Sequence, residues 1–128
     1  MRILYFHQYF GTRAGSNGIR SYEMARALTA AGHQVTMVCA SFAGSTTGLE
    51  GPFKRGKRRG VVDGIKVIEF DLSHSNRDGV ASRALKFTSF AVRSVLIAMR
   101  LDFDLVSEGV RWFENEGSRP LPVWVRRR

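Results

Sequence analysis

Cysteine is almost absent from this chain: Cys39 is the single one among 128 residues. That excludes an internal disulfide, and the place of Cys39 in an apolar run makes it a small buried side chain. Long apolar runs are missing too, and none approaches the roughly 18 residues that a membrane-crossing helix needs. The opening MRILYFHQYF is interrupted by His7 and Gln8 before a signal-peptide core can form. A cytoplasmic location is expected, at most peripheral on the inner face of a membrane. Acid is in short supply, with 11 Asp and Glu against 20 Lys and Arg, a formal charge of +9. Such an excess favours anionic partners (nucleic acid, anionic lipid or phosphorylated metabolites) without choosing among them.

What is present fits one soluble domain. The length suffices for one core but not two, and 44% apolar with 24% charged residues is ordinary globular composition. Residues 2–6 have strand character and run into a polar, glycine-containing loop at residues 11–18. From residue 19 to 31, Tyr22, Ala25, Leu28 and Ala31 recur at helical spacing, with Met24 and Ala27 widening the face. Ser16 or Asn17 is the expected N-cap and Gly32 the left-handed residue that ends the helix. Residues 35–40, VTMVCA, suit a strand covered on both faces of a parallel sheet. Strand, loop, helix and strand make a βαβ unit, so the expected fold class is α/β, a Rossmann-like parallel sheet of about four strands flanked by helices.

Residues 41–60 hold five glycines, Pro52 and the cations Lys54, Arg55, Lys57, Arg58 and Arg59, and read as a long loop. Strand character resumes at residues 61–70, with Asp63-Gly64 as a turn. Residues 81–99 lack proline and glycine and carry Leu85, Val92, Leu96 and Met99 on one face, marking a second helix. On the same helix Lys86, Arg93 and Arg100 fall within about 40° of one another, with Phe90 and Ile97 beside them. Residues 104–106 begin a fourth strand. Residues 107–128 show neither period, and read as an atypical tail or an out-of-frame extension of a domain spanning residues 1–106.

In an open parallel sheet the first strand-to-helix loop is the usual phosphate site, because the first amides of the helix lack internal acceptors and carry its positive dipole end. Gly15, Ser16, Asn17 and Gly18 have that arrangement, and Arg20 sits where an anion would relieve an unfavourable cation. The bland alternative is a turn shaped by glycines, with Arg20 paired to Glu23. The G-x-x-x-G-x-x-G spacing of Gly11, Gly15 and Gly18 matches neither the dinucleotide fingerprint nor the nucleotide P-loop. The second strand ends in Ala40-Ser41-Phe42 without the acid that holds a nicotinamide ribose, which argues against a dehydrogenase.

The segment QYFGTRAGSNGIRSYEMARALTAAGHQVTMV, residues 8–38, resembles the opening loop, first helix and second strand of the N-terminal domain of GT-B-fold glycosyltransferases of family 4. DGIKVIEF, residues 63–70, is similar to that domain's next strand. The likeness is greatest to the branch that builds surface polysaccharides on lipid carriers. It implies the first half of a GT-B fold, with a nucleotide sugar as donor substrate, a lipid-linked or polysaccharide acceptor, and no cofactor or metal. Gly15, Ser16, Asn17, Gly18 and Arg20 would face the donor diphosphate, with Ser16 where the family often has glycine. His7 and Gln8, at the end of the first strand, would face the acceptor. The family's second domain carries two glutamates eight residues apart; Glu108 and Glu116 share that spacing by chance, without its surroundings. No turnover is therefore expected from this chain alone.

The cations Lys54, Arg55, Lys57, Arg58, Arg59, Lys86, Arg93 and Arg100 form a candidate surface for a membrane or other anion. The competing class is a non-catalytic basic α/β module; the basic run lacks interleaved aromatic residues, which argues against nucleic acid. An exposed sheet edge would favour self-association.

Overall fold

The computed structural model describes residues 1–15, 19–44, 46–74 and 79–108, apart from the side chains of residues 73, 74 and 105–108. In chain order the elements are β1 (Arg2–Phe6), α1 (Arg20–Ala30), β2 (Gln34–Phe42), β3 (Lys57–Val62), β4 (Ile65–His74), α2 (Val80–Ala98) and β5 (Leu105–Glu108). They form one five-stranded sheet in the order β3-β4-β2-β1-β5. β1, β2, β4 and β5 are mutually parallel, while β3 runs antiparallel to β4 at one edge. The fold is α/β, as the βαβ pattern implies, with an antiparallel edge strand added.

Strand alternation sends side chains to opposite faces, and each face has its own core. Ile3, Tyr5, Val35, Met37, Cys39, Ile65 and Val67 pack with Tyr22 and Ala25 of α1 and with Phe10. Leu4, Val38, Ile68 and Phe70 pack with Ile97 of α2 on the other face. Met37, Val38 and Cys39 are wholly buried, so successive β2 residues serve both cores, which is why the run is apolar at nearly every position. Each such aliphatic side chain contributes about 1.5–3 kcal/mol through burial.

The basic run is more ordered than a loop. Arg55 and Gly56 adopt φ of 51° and 73° in a turn that joins Lys54 to Lys57, from which β3 starts. Asp63 and Gly64, at φ 49° and 81°, turn the chain into β4 with Val62 opposite Ile65, the two-residue hairpin geometry expected of Asp-Gly. Strand pairing uses the backbone and needs no apolar sequence, so Arg58 and Gly60 occupy inward positions of β3. At Gly60 a Cβ would lie 2.6 Å from Leu49 Cδ2, so a larger residue there would have to displace the end of that leucine side chain. Cations along β3 also discourage another chain from adding to that edge.

Both helices differ from the spacing-based expectation. α1 starts at Arg20 with Ile19 as N-cap and no side-chain hydrogen bond to the cap; an isoleucine has no oxygen to offer. Ser16 and Asn17, the expected caps, lie outside the described residues. Gly32 does take the left-handed conformation, φ 87°. Met24 and Ala27 are exposed, so the buried face of α1 is narrower than its apolar content. In α2 the arc of Leu85, Val92, Leu96 and Met99 faces solvent, and Phe90, Ser94 and Ile97 turn to the sheet. Phe90 meets Phe70 edge to face at 6.2 Å, a geometry favoured between aromatic rings. No helix among the described residues is long and apolar enough to cross a membrane.

Candidate functional site at the carboxyl edge of the sheet

Because β1 and β2 are parallel, the segments that leave them meet at one edge. His7 N donates to the Val38 carbonyl at 3.0 Å, and Ala40 N donates to the Gln8 carbonyl at 3.1 Å. These bonds extend the β1–β2 pairing past Phe6 and fix His7 and Gln8 at that edge. His7 Nδ1 lies 2.7 Å from Ser21 Oγ in the first turn of α1. Burial lowers the His7 pKa below its ordinary 6.5, so the ring is neutral near pH 7. Gln8 is 6% exposed, and neither its amide oxygen nor its amide nitrogen has a hydrogen-bond partner among the described residues. Leaving such a group unpaired costs about 1–3 kcal/mol.

The glycine loop is anchored at its start. Thr12 donates both its amide and its hydroxyl to the Thr46 carbonyl, each at 2.8 Å, tying the segment after β1 to the segment after β2. Gly15 N donates to the Thr12 carbonyl at 3.1 Å. Ser16, Asn17 and Gly18 lie outside the described residues. Beyond them, among the described residues, the first amide of α1 with a helical acceptor is Glu23 N, on the Ile19 carbonyl. The amides of Arg20, Ser21 and Tyr22 precede it, at the positive end of the helix dipole.

The charge pattern around this end settles the role of Glu23. Arg13 Nε contacts its carboxylate at 2.7 Å and Arg26 Nη1 at 3.6 Å, and the Arg13 hydrogen bond holds the Glu23 carboxyl below the usual range. Arg20 is exposed and makes no ion pair with a described residue. The pairing of Arg20 with Glu23 that would have neutralised the loop is thus absent, and among the described residues this cation has no ion-pair partner and the helix no side-chain cap.

Sequence reasoning missed an aromatic cluster at the same edge. Tyr9 packs edge to face against Phe42, at the end of β2, with centroids 5.1 Å apart, and against Phe87 of α2 at 6.0 Å. Burial raises the Tyr9 pKa and the nearby Arg83 charge opposes the rise. The three aromatics are distant in sequence, so only the parallel register and the return of α2 join them; no local spacing could have shown it.

The eight basic-surface candidates separate into two groups. Arg58 grips the buried Glu69 through Nε at 2.7 Å and Nη2 at 3.2 Å, and lies over the Phe53 ring at 4.6 Å. Arg93 donates to the Gly56 carbonyl at 3.3 Å and lies over Phe70 at 5.5 Å. Both are part of the packing. Lys54, Arg55, Arg59 and Arg100 are exposed, while Lys57 and Lys86 are half-buried. Among the described residues no three His, Cys, Asp or Glu side chains gather as a metal-ligating group.

No family model, curated protein or solved structure matches the chain.

Proposed function

We propose that this chain is the acceptor-side, N-terminal part of a two-domain glycosyltransferase resembling family 4 of the GT-B fold, which moves a sugar from a nucleotide-sugar donor to a lipid-linked or polysaccharide acceptor. The observation that carries the reading is the N-terminus of α1, which has no side-chain cap and an Arg20 without an ion pair among the described residues, at the carboxyl edge where α/β sheets bind ligands. In glycosyl transfer the bond from the anomeric carbon to the diphosphate breaks as an acceptor oxygen bonds to that carbon, and negative charge grows on the leaving diphosphate. Helix amides and a guanidinium in that first turn would stabilise such charge. The unsatisfied Gln8 amide and the neutral His7 ring supply hydrogen-bonding groups for a hydroxyl-bearing acceptor beside it. The alternative, a basic module for nucleic acid or lipid, loses Arg58 and Arg93 to internal partners.

Titration of the isotopically labelled chain with inorganic pyrophosphate and with uridine diphosphate tests the reading. Amide shifts should concentrate at Gly15 and residues 19–22, and Arg20→Ala should weaken pyrophosphate binding by roughly tenfold, the equivalent of one exposed charge-assisted contact. Shifts confined to the hairpin around Lys54 and Arg59, with Arg20→Ala silent, would sink it.

A further inference from the structure

α2 is apolar on two arcs and the fold covers only one. Leu85 is 73% exposed, Val92 55%, Val95 58%, Leu96 46% and Met99 78%. These side chains fall at heptad spacing: Leu85, Val92 and Met99 make one row, and Ala81, Thr88 and Val95 the row beside it. The flanking rows are Ala84, Ala91 and Ala98 on one side and Ser82, Ser89 and Leu96 on the other. None of these positions is charged. The cations of this helix, Arg83, Lys86 and Arg93, all occupy other rows, and Arg100, expected on the same stripe, lies in the turn after its C-cap Met99.

We propose that this face is an interface between two copies of the chain, paired through α2 as an antiparallel helix pair. Four observations select that occupant. An antiparallel pairing of the two rows sets Met99 against Ala81, Leu85 against Val95 and Val92 against Thr88, so each large side chain meets a smaller one. The same pairing brings the exposed Ala91 against its own copy, allowing close approach of the backbones, and it opposes the two helix dipoles. The five exposed side chains present on the order of 500 Å², at the upper end of what a soluble monomer leaves contiguous, a size at which such patches often serve an interaction. Two such faces bury on the order of 1,000 Å², the lower bound for a specific interface.

A lipid surface fits less well. Helices that lie on membranes carry their cations on a solvated polar face, but here Arg93 is drawn to Gly56 and Phe70, and the face opposite the exposed arc is packed on the sheet.

Sedimentation of the full chain across a concentration series is the test, with Leu85→Glu and Val92→Glu as variants at exposed positions and circular dichroism to verify folding. The chain should dimerise, each variant should weaken the dimer by roughly tenfold or more because it buries a charge in the seam, and added salt should tighten the dimer by screening two bodies of +9 each. Mixed L85C and V95C chains should cross-link with each other and neither with itself; Cys39 is buried and stays out of the reaction. A monomer at all concentrations overturns the proposal, whether the chain binds anionic vesicles, which assigns the face to lipid, or does not, which assigns it to another covering segment. A dimer unmoved by both variants overturns it as well, and places association elsewhere, such as the edge of β5.

Discussion

Replacing Arg58 by alanine should cost more stability than any other single change to the basic run. Glu69 is 2% exposed, in the middle of β4, and its carboxylate accepts from Arg58 Nε, Arg58 Nη2 and Thr47 Oγ1, the last at 2.7 Å. Removing the guanidinium leaves a buried carboxylate with one hydroxyl for a partner. Breaking such a pair from one side typically costs about 3–5 kcal/mol, against a total stability on the order of 5–15 kcal/mol for a domain. Arg58→Ala should therefore lower the urea midpoint at pH 7 by at least a fifth of its value, and could leave the chain unfolded. Glu69→Gln keeps an acceptor for Thr47 and removes the charge, so the loss should be smaller. The double change Arg58→Met with Glu69→Leu should recover most of the stability, because it removes both desolvated charges while keeping volume. If Arg58→Ala costs under about 1 kcal/mol, in the range of exposed pairs, the carboxylate is not confined as described and the reasoning fails.

Two further perturbations have definite signs. Burial depresses the His7 pKa below 6.5, so the unfolded chain takes up a proton at higher pH than the folded one, and stability should fall as pH drops from about 7 through that window; urea melts of wild type and His7→Gln at several pH values should show the slope diminished in the variant. Gly64→Ala forces an L residue to φ 81° and places its Cβ 2.9 Å from Thr29 Cγ2, so the hairpin should lose about 1–2 kcal/mol, a fall in melting temperature of about 4–16 °C for a domain of this size. An unchanged melting temperature would show that the hairpin turn adapts.

The first βαβ unit was legible because two periods change at marked places. Apolar alternation ends at His7, glycines follow, helical spacing starts near Tyr22, and Gly32 closes the helix with the conformation expected of it. The Asp63-Gly64 turn was legible for the same reason: few residue pairs tolerate positive φ in succession. β3 was not. Its run of cations has no strand periodicity of its own, and only the partner Glu69, eleven residues away and buried, gives Arg58 a reason to point inward. The orientation of α2 was also hidden. Two apolar arcs satisfy helical spacing equally well, and the choice between them rests on shape: Phe90 has Phe70 to pack against, and Arg93 has the Gly56 carbonyl and the same ring.

The excess of positive charge therefore has several separate jobs, and the net value of +9 describes none of them. Arg58 compensates an internal carboxylate, Arg93 satisfies a backbone carbonyl at the Arg55-Gly56 turn, and Arg13 and Arg26 share Glu23. Cations with internal partners have already exchanged their hydration for protein contacts, so an incoming anion gains little from them. Arg20 differs, because it makes no ion pair with a described residue and it sits in the first turn of α1, at the positive end of the helix. It is held where its own field is unfavourable. An anion bound at that edge would relieve both the helix end and the guanidinium, whereas Arg58 and Arg93 of the basic surface are already engaged inside the fold.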